Sequence, residues 1–181
     1  MLVKTASILQ SLGLRYLVSG GFAVSVWGRP RATFDIDIVI IIAETEVSLL
    51  TKALKKISQA GYLDEENARE SARKGRGSFN FIDSNTGLKV DFFIGGRDPF
   101  TISKFKRRKF KTIGGQKIPF IAPEDLILSK LQWYKENLST LQLDDIKSIL
   151  KISGSKLDHH YLKEWAARLK VEDILDNLYD S

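Results

Sequence analysis

Residues 36–42 read Ile-Asp-Ile-Val-Ile-Ile-Ile, a run in which all but one residue is a β-branched aliphatic. Such side chains are stiff at χ1 and pack well on a pleated surface. From Ile38 onward the run is apolar on both faces, which predicts a central strand covered on both sides. A strand of that kind needs neighbouring strands on either hand and helices to cover it, and the rest of the chain is read for those partners.

A helix is expected over residues 6–12, stopped at Gly13, then a strand over 14–18. Gly20-Gly21 breaks that strand into a second helix over 22–27. Thr45 is expected to cap a helix whose Val47, Leu50, Leu54 and Ile57 share one face, with Gly61 ending it. Residues 64–76 are charged and Gly-bearing and read as a loop or a frayed helix. Strands over 78–82 and 88–94 are joined by the turn-forming Ser84-Asn85-Thr86-Gly87, and strands over 110–113 and 117–121 by Gly114-Gly115, which makes two hairpins. From Pro123 the pattern is helical. Pro123 suits a first helical position, and Asp158 suits the cap of a later helix. Trp27, Trp133 and Trp165 fall on apolar stripes and are expected in the core. The fold class is therefore α+β: a mixed sheet flanked by helices over residues 1–121, then a small helical segment over 122–181. No Ser- or Pro-rich linker divides them, so the two parts are expected to share a core and form a cleft.

Composition removes whole classes of chemistry. The chain has no cysteine, which excludes disulfides, iron–sulfur clusters, thiolate zinc and a cysteine nucleophile. Its two histidines are adjacent, His159 and His160, so a multi-histidine metal site is excluded and any metal must be held by oxygen, as Mg²⁺, Mn²⁺ or Ca²⁺ are. No apolar run reaches the roughly 18 residues a spanning helix needs, and the chain is expected to be soluble and cytoplasmic, with no membrane partner. Charge is uneven. Through Ala122 there are 20 Lys and Arg against 11 Asp and Glu, a net of +9; thereafter 8 stand against 11, a net of −3. Lys104, Lys106, Arg107, Arg108, Lys109, Lys111 and Lys117 form the densest stretch, which reads either as a solvated hairpin protecting a sheet edge or as a surface facing a polyanion such as RNA.

Asp35 and Asp37 stand two apart at the entry to the most apolar strand, so alternation puts both on one face. Converging carboxylates repel and lose hydration, and something cationic must compensate. Asp91 is a lone acid in Lys89-Val90-Asp91-Phe92-Phe93-Ile94. If that strand lies beside the first, three carboxylates share one place. With 13 Asp in 181 residues, chance alone supplies about one Asp-x-Asp pair. The pair therefore means little, and the signal is the order: an apolar strand, Ser19-Gly20-Gly21 opening a helix, Asp-Ile-Asp starting a strand, and Asp91 in a later one. Glycines there let backbone N–H groups and a helix N-terminus approach a phosphate; a tight turn with two strand-entry aspartates is the plainer alternative.

Leu17-Val18-Ser19-Gly20-Gly21 followed by Gly28-Arg29-Pro30-Arg31-Ala32-Thr33-Phe34-Asp35-Ile36-Asp37 resembles the signature of the DNA polymerase β-type nucleotidyltransferase superfamily. The likeness is to its minimal and AbiEii-like branches, the latter including toxins of type IV toxin–antitoxin systems. It continues through residues 122–131 and in Gln142-Leu143-Asp144-Asp145-Ile146. The resemblance implies a metal-dependent nucleotidyltransferase that moves a nucleoside monophosphate from a nucleoside triphosphate (NTP) to an acceptor hydroxyl on RNA (a tRNA end included), protein or a small molecule, with a cognate antitoxin protein as a further partner. It implies that Asp35, Asp37 and Asp91 bind Mg²⁺ or Mn²⁺, that Asp91 helps activate the acceptor, and that Ser19, Gly20 and Gly21 line the triphosphate. AbiEii-type sequences often carry an Arg near the start of the helix over 141–152, where this chain has Leu141-Gln142-Leu143. The alternative of another class is a non-catalytic module of the same fold that binds RNA or a partner protein through the basic hairpin.

Two further cations are candidates for nucleotide binding. Arg31 either neutralises a phosphate, pairs with an acid of the site, or is a surface loop cation. Lys130 lies on an apolar helix, where its ammonium needs an anion or must reach outward. Gln142, Asp145, Ile146 and Ile149 share a helical face, so Lys130 pairs with Asp145, meets a phosphate, or both residues stand at a helix edge.

Overall fold

Among the described residues seven strands form one mixed sheet: β1 Arg15–Val18, β2 Asp35–Ile41, β3 Gly61–Leu63, β4 Ser78–Asp83, β5 Lys89–Ile94, β6 Lys109–Ile113 and β7 Gln116–Phe120, in the spatial order β3-β4-β5-β2-β1-β7-β6. The computed structural model describes residues 1–179, so the last two residues of the expected helical segment lie outside the described residues. The chain divides into two compact units: Met1–Phe22 with Ala32–Ile121, and Ala23–Arg31 with the chain from Ala122 onward.

In the first unit β2 holds the middle of the sheet, antiparallel to β1 and parallel to β5. Ile36, Ile38 and Ile40 are buried, whereas Asp37, Val39 and Ile41 are half-exposed. The strand is thus central as expected, but only one of its faces is fully covered. Helices α1 Leu2–Ser11, α3 Val47–Leu54, α4 Glu65–Lys74 and α5 Pro99–Arg107 also belong to this unit, and α2 Gly20–Trp27 begins in it. The core gathers Leu9, Leu17, Ile38, Leu50, Phe81, Phe92 and Phe120, all fully buried.

Four local readings are corrected. Residues 65–74 form a regular helix because Asp64 caps it, accepting from the Asn67 N–H at 3.0 Å, Gly75 closes it at φ +64°, and Glu65–Arg69 and Glu70–Lys74 pair at i,i+4. Within the basic stretch, α5 starts where Asp98 accepts from the Thr101 N–H at 2.8 Å and Pro99 takes the first turn, burying Phe100 and Phe105. Gly61 opens β3 and ends no helix; α3 stops at Leu54. Thr45 sits inside a 3₁₀ turn, Glu44–Glu46, and the capping contact is made by Glu46, which accepts from the Ala43 N–H at 2.7 Å.

The second unit is helical: α6 Pro123–Asn137, α7 Thr140–Ser153, α8 His159–Leu169 and α9 Glu172–Tyr179. Leu126, Ile127, Leu128 and Leu131 on α6 are buried with Ile146 and Ile149 of α7 and Leu162 and Ala166 of α8. Asp158 caps α8 as expected, accepting from the Tyr161 N–H. Trp165 is buried and Trp27 half-buried, but Trp133 is 48% exposed because it lies on the outer side of α6. Among the described residues no helix is long and apolar enough to cross a membrane.

Candidate active site

β1 ends at Val18, and the Ser19 N–H donates to the Asp37 carbonyl at 2.8 Å, which extends the β1–β2 pairing by one residue. The chain then turns into α2 through Gly20 at φ +55°. A Cβ at Gly20 would lie 1.7 Å from Asp37 Oδ2 and 2.3 Å from its Cγ, so the Asp37 carboxylate fills the space a side chain would take. At Gly21 a Cβ would lie 2.8 Å from Thr33 Oγ1, whose hydroxyl donates to the Asp35 carbonyl at 3.2 Å. Gly20 therefore seats Asp37 against the start of a helix, where the peptide dipoles favour negative charge, and Gly21 makes room for Thr33.

The parallel register of β2 and β5 sets Asp37 opposite Asp91 and Asp35 opposite Lys89. Residues opposite one another in a ladder share a face, so all four stand on the half-exposed side of the sheet. Asn80 of β4 is opposite Asp91 on its other flank. Lys89 Nζ lies 2.9 Å from Asp91 Oδ2 and 3.7 Å from Asp35 Oδ2. Its hydrogen bond to Asp91 raises the Lys89 pKa against the opposing effect of burial, and the ammonium stays charged. Lys89 is a compensating cation for Asp35 and Asp91 and is the site residue that the sequence did not reveal, with Asn80 beside it on the same face. Alternation already aligned Lys89 with Asp91; the strand pairing that brings it to Asp35 was the missing piece.

The structure thus brings together Asp35, Asp37, Asp91, Ser19, Gly20 and Gly21. The donors are carboxylate oxygens, the chemistry that suits a hard divalent ion, and Mg²⁺ is commonly held by one or two carboxylates with the rest of its oxygens from water and phosphate. Asp35 and Asp37 fit that pattern. Among the described residues no three acidic or histidine side chains are arranged to hold a metal by themselves.

Arg31 and Lys130 meet elsewhere, within the helical unit. Arg31 forks onto Asp145, Nε to Oδ1 at 2.8 Å and Nη2 to Oδ2 at 2.9 Å, and Lys130 Nζ lies 2.7 Å from Oδ2 and 3.0 Å from Gln142 Oε1. Of the alternatives open for Lys130, the Asp145 pair is the one formed. Burial pushes the Asp145 carboxyl up, but the Arg31 and Lys130 hydrogen bonds and charges outweigh it and hold the group below the usual carboxylate range. Beside this network an open concavity of about 440 Å³ carries Arg29, Lys147 and Lys151. The basic stretch divides between α5 and the β6–β7 hairpin. There β6 is an edge strand, and Phe110 lies beneath Arg108 and Lys117 at 5.5 and 5.2 Å.

No protein-family model and no curated protein sequence matches this chain, but solved structures resemble it. ANT(2'')-Ia in complex with adenylyl-2''-tobramycin aligns at 12% identity with a TM-score of 0.61, over 93% of this chain and 94% of that one. The lincosamide antibiotic adenylyltransferase LnuA, lincomycin-bound, aligns at 14% identity and a TM-score of 0.56, over 83% and 95%. An antigenic nucleotidyltransferase-like protein from Paracoccidioides brasiliensis aligns at 21% identity and a TM-score of 0.51, over 83% and 74%. At such identities the likeness is one of architecture, and the chain has the α+β fold of nucleotidyltransferases.

Proposed function

We propose that this chain is a divalent-cation-dependent nucleotidyltransferase that moves a nucleoside monophosphate from an NTP to a hydroxyl of a small molecule. The observation that carries the reading is the seat of Asp37: its carboxylate rests on the Gly20 backbone at the start of α2 while standing opposite Asp91. Ser19, Gly20 and Gly21 stand at a helix N-terminus, where backbone N–H groups can meet a triphosphate beside the Asp37 carboxylate. Asp35 and Asp37 would hold Mg²⁺ or Mn²⁺, which when bound neutralises phosphate charge and polarises the phosphoryl group. Asp91, fixed by Lys89, orients the acceptor hydroxyl and takes its proton as the acceptor oxygen bonds to the α-phosphorus and pyrophosphate leaves. The complexes of ANT(2'')-Ia with adenylyl-2''-tobramycin and of LnuA with lincomycin support a small hydroxylated acceptor in preference to RNA or protein. The AbiEii-like branch, and with it a toxin role and an antitoxin partner, rests on the motif resemblance alone.

The test is incubation of the protein with each α-labelled NTP, Mg²⁺, and separate pools of aminoglycosides and lincosamides, RNA and protein. Label is expected in the small-molecule fraction and to vanish in Asp35→Ala and Asp37→Ala; transfer that persists in both variants refutes the assignment. One observation favours a second reading. The cations of α5 and the β6–β7 hairpin crowd one stretch of the first unit, which suits a non-catalytic RNA-binding module; that reading predicts steeply salt-dependent RNA affinity unchanged by Asp35→Ala.

A further inference from the structure

The face that carries the aspartates brings its own cation, and the sheet fixes where it stands. Lys89 precedes Asp91 by two residues on β5, so their side chains share a face, and the parallel register sets Lys89 opposite Asp35 on β2. Its Nζ bonds Asp91 Oδ2 at 2.9 Å and reaches Asp35 Oδ2 at 3.7 Å, bridging the two strands. Neither carboxylate is sealed: the Asp35 side chain is 48% exposed and that of Asp91 19%.

We infer that Lys89 fills the place of a second divalent cation, so that the site takes one metal ion per chain where the two-metal arrangement would take two. The inference rests on the nucleotidyl-transfer reading of the same site. Three observations converge on it. A second ion about 3.5–4 Å from the first would need Asp91, since it must share carboxylates with the first and find one of its own. An ion bridging Asp35 and Asp91 through the oxygens Lys89 contacts would bond them at about 2.1 Å and displace the ammonium. The side chains agree: among the described residues no three acids form a ready metal cage. Lysine, a compact point charge on a flexible stem, suits this use better than the planar fork of arginine would. Lys89 is thus a positioning residue. It holds Asp91 toward the acceptor and reserves Asp35 and Asp37 for the one ion that meets the triphosphate.

The test counts bound Mn²⁺ on the full chain, without nucleotide, from the electron paramagnetic resonance signal of the free aqueous ion. One ion per chain is expected for the wild type and for Lys89→Arg, which keeps the cation. Two are expected for Lys89→Met and for Lys89→Gln, with the thermal unfolding transition reporting that each variant is folded. Two ions in the wild type overturn the inference and leave the nucleotidyl-transfer reading standing, and so does a single ion in folded Lys89→Met or Lys89→Gln. If no Mn²⁺ binds without nucleotide, the count is repeated with a non-hydrolysable NTP analogue, and no protein-bound Mn²⁺ there either overturns the metal-dependent reading itself, and the inference with it.

Discussion

Gly20→Ala is the sharpest probe of the candidate site, because its cost divides into two parts that a control separates. The first is conformational: Gly20 sits at φ +55°, where a Cβ costs about 1–2 kcal/mol against its own carbonyl. The second is collision. The new methyl would stand 1.7 Å from Asp37 Oδ2, 2.3 Å from Cγ and 2.7 Å from Cβ, and the last of these belongs to a strand fixed by pairing on both sides. Rotating the carboxylate away relieves the first two contacts and leaves the third, so backbone must shift, at a further cost of about 1–3 kcal/mol. Gly13 has φ +68° and nothing within 4 Å of its would-be Cβ, so Gly13→Ala meets only the conformational part. Urea unfolding at constant m should therefore show Gly20→Ala less stable than Gly13→Ala by about 1–3 kcal/mol. In an Asp37→Ala background, which removes Oδ2 and Cγ, the excess should shrink, and that coupling identifies Asp37 as the clashing group. Label transfer should fall by about 100-fold or more in Gly20→Ala, since a displacement on the order of 1 Å at a reacting geometry has that effect. Equal stabilities for the two alanine variants, with transfer intact, would refute the reasoning.

Two other outcomes follow from the helical unit. Asp145→Ala removes the carboxylate from Lys130 and Arg31, whose side chains are 7% and 32% exposed, and should cost about 3–5 kcal/mol in urea unfolding, whereas Lys130→Met leaves the Arg31 fork on Asp145 and should cost less, about 1.5–3 kcal/mol. A larger loss in Lys130→Met than in Asp145→Ala would show that Asp145 is not the centre of the network. Because the Asp145 carboxyl is held below its unfolded value, its stabilising contribution is complete above that value, about pH 3.9, and is lost as pH falls through the lower folded one. Asp145→Asn should flatten the decline in unfolding free energy between pH 5 and 2; an unchanged slope would assign acid sensitivity to other carboxyls.

Much of this fold can be read from residue patterns because period and punctuation agree. The Ile-rich run of β2, the turn residues between β4 and β5, Gly114-Gly115 between β6 and β7, and Pro123 at the head of α6 each combine a hydrophobic rhythm with a break. Where the rhythm is thin the reading fails. In α4 only Ala68 and Ser71 are buried, so the helix rests on its caps and on charge pairs at i,i+4, and a segment of Glu, Arg and Lys looks like a loop. In α5 the run of cations hides the Asp98-Pro99 start, although that cap signal stands in the sequence. Three-residue β3 has no period to detect; its place comes from pairing with β4.

The charged residues follow a different logic, and exposure separates their uses. Asp35, Asp37 and Asp91 stood out by their order, an apolar strand and Ser19-Gly20-Gly21 before Asp-Ile-Asp and a lone Asp in a later strand, since the pair alone is expected by chance. What compensates such acids is long-range, and so was not visible: Lys89 reaches Asp35 only through strand pairing, and Arg31 reaches Asp145 across 114 residues. The two acidic centres then diverge. Asp145 is 4% exposed, both its oxygens are engaged by cations, and Lys130 beside it is sealed; only the outer part of Arg31 remains open to an anion. Such a network specifies how the helices pack around it. Asp35 keeps nearly half its surface in water, shares a single ammonium with Asp91, and stands two residues from the carboxylate that Gly20 admits. A partly paired, reachable acid keeps the capacity to bind a cation that a fully paired, buried acid has already used. On the proposed reading, this physical distinction gives the chemistry to the sheet of the first unit and support to the helices of the second.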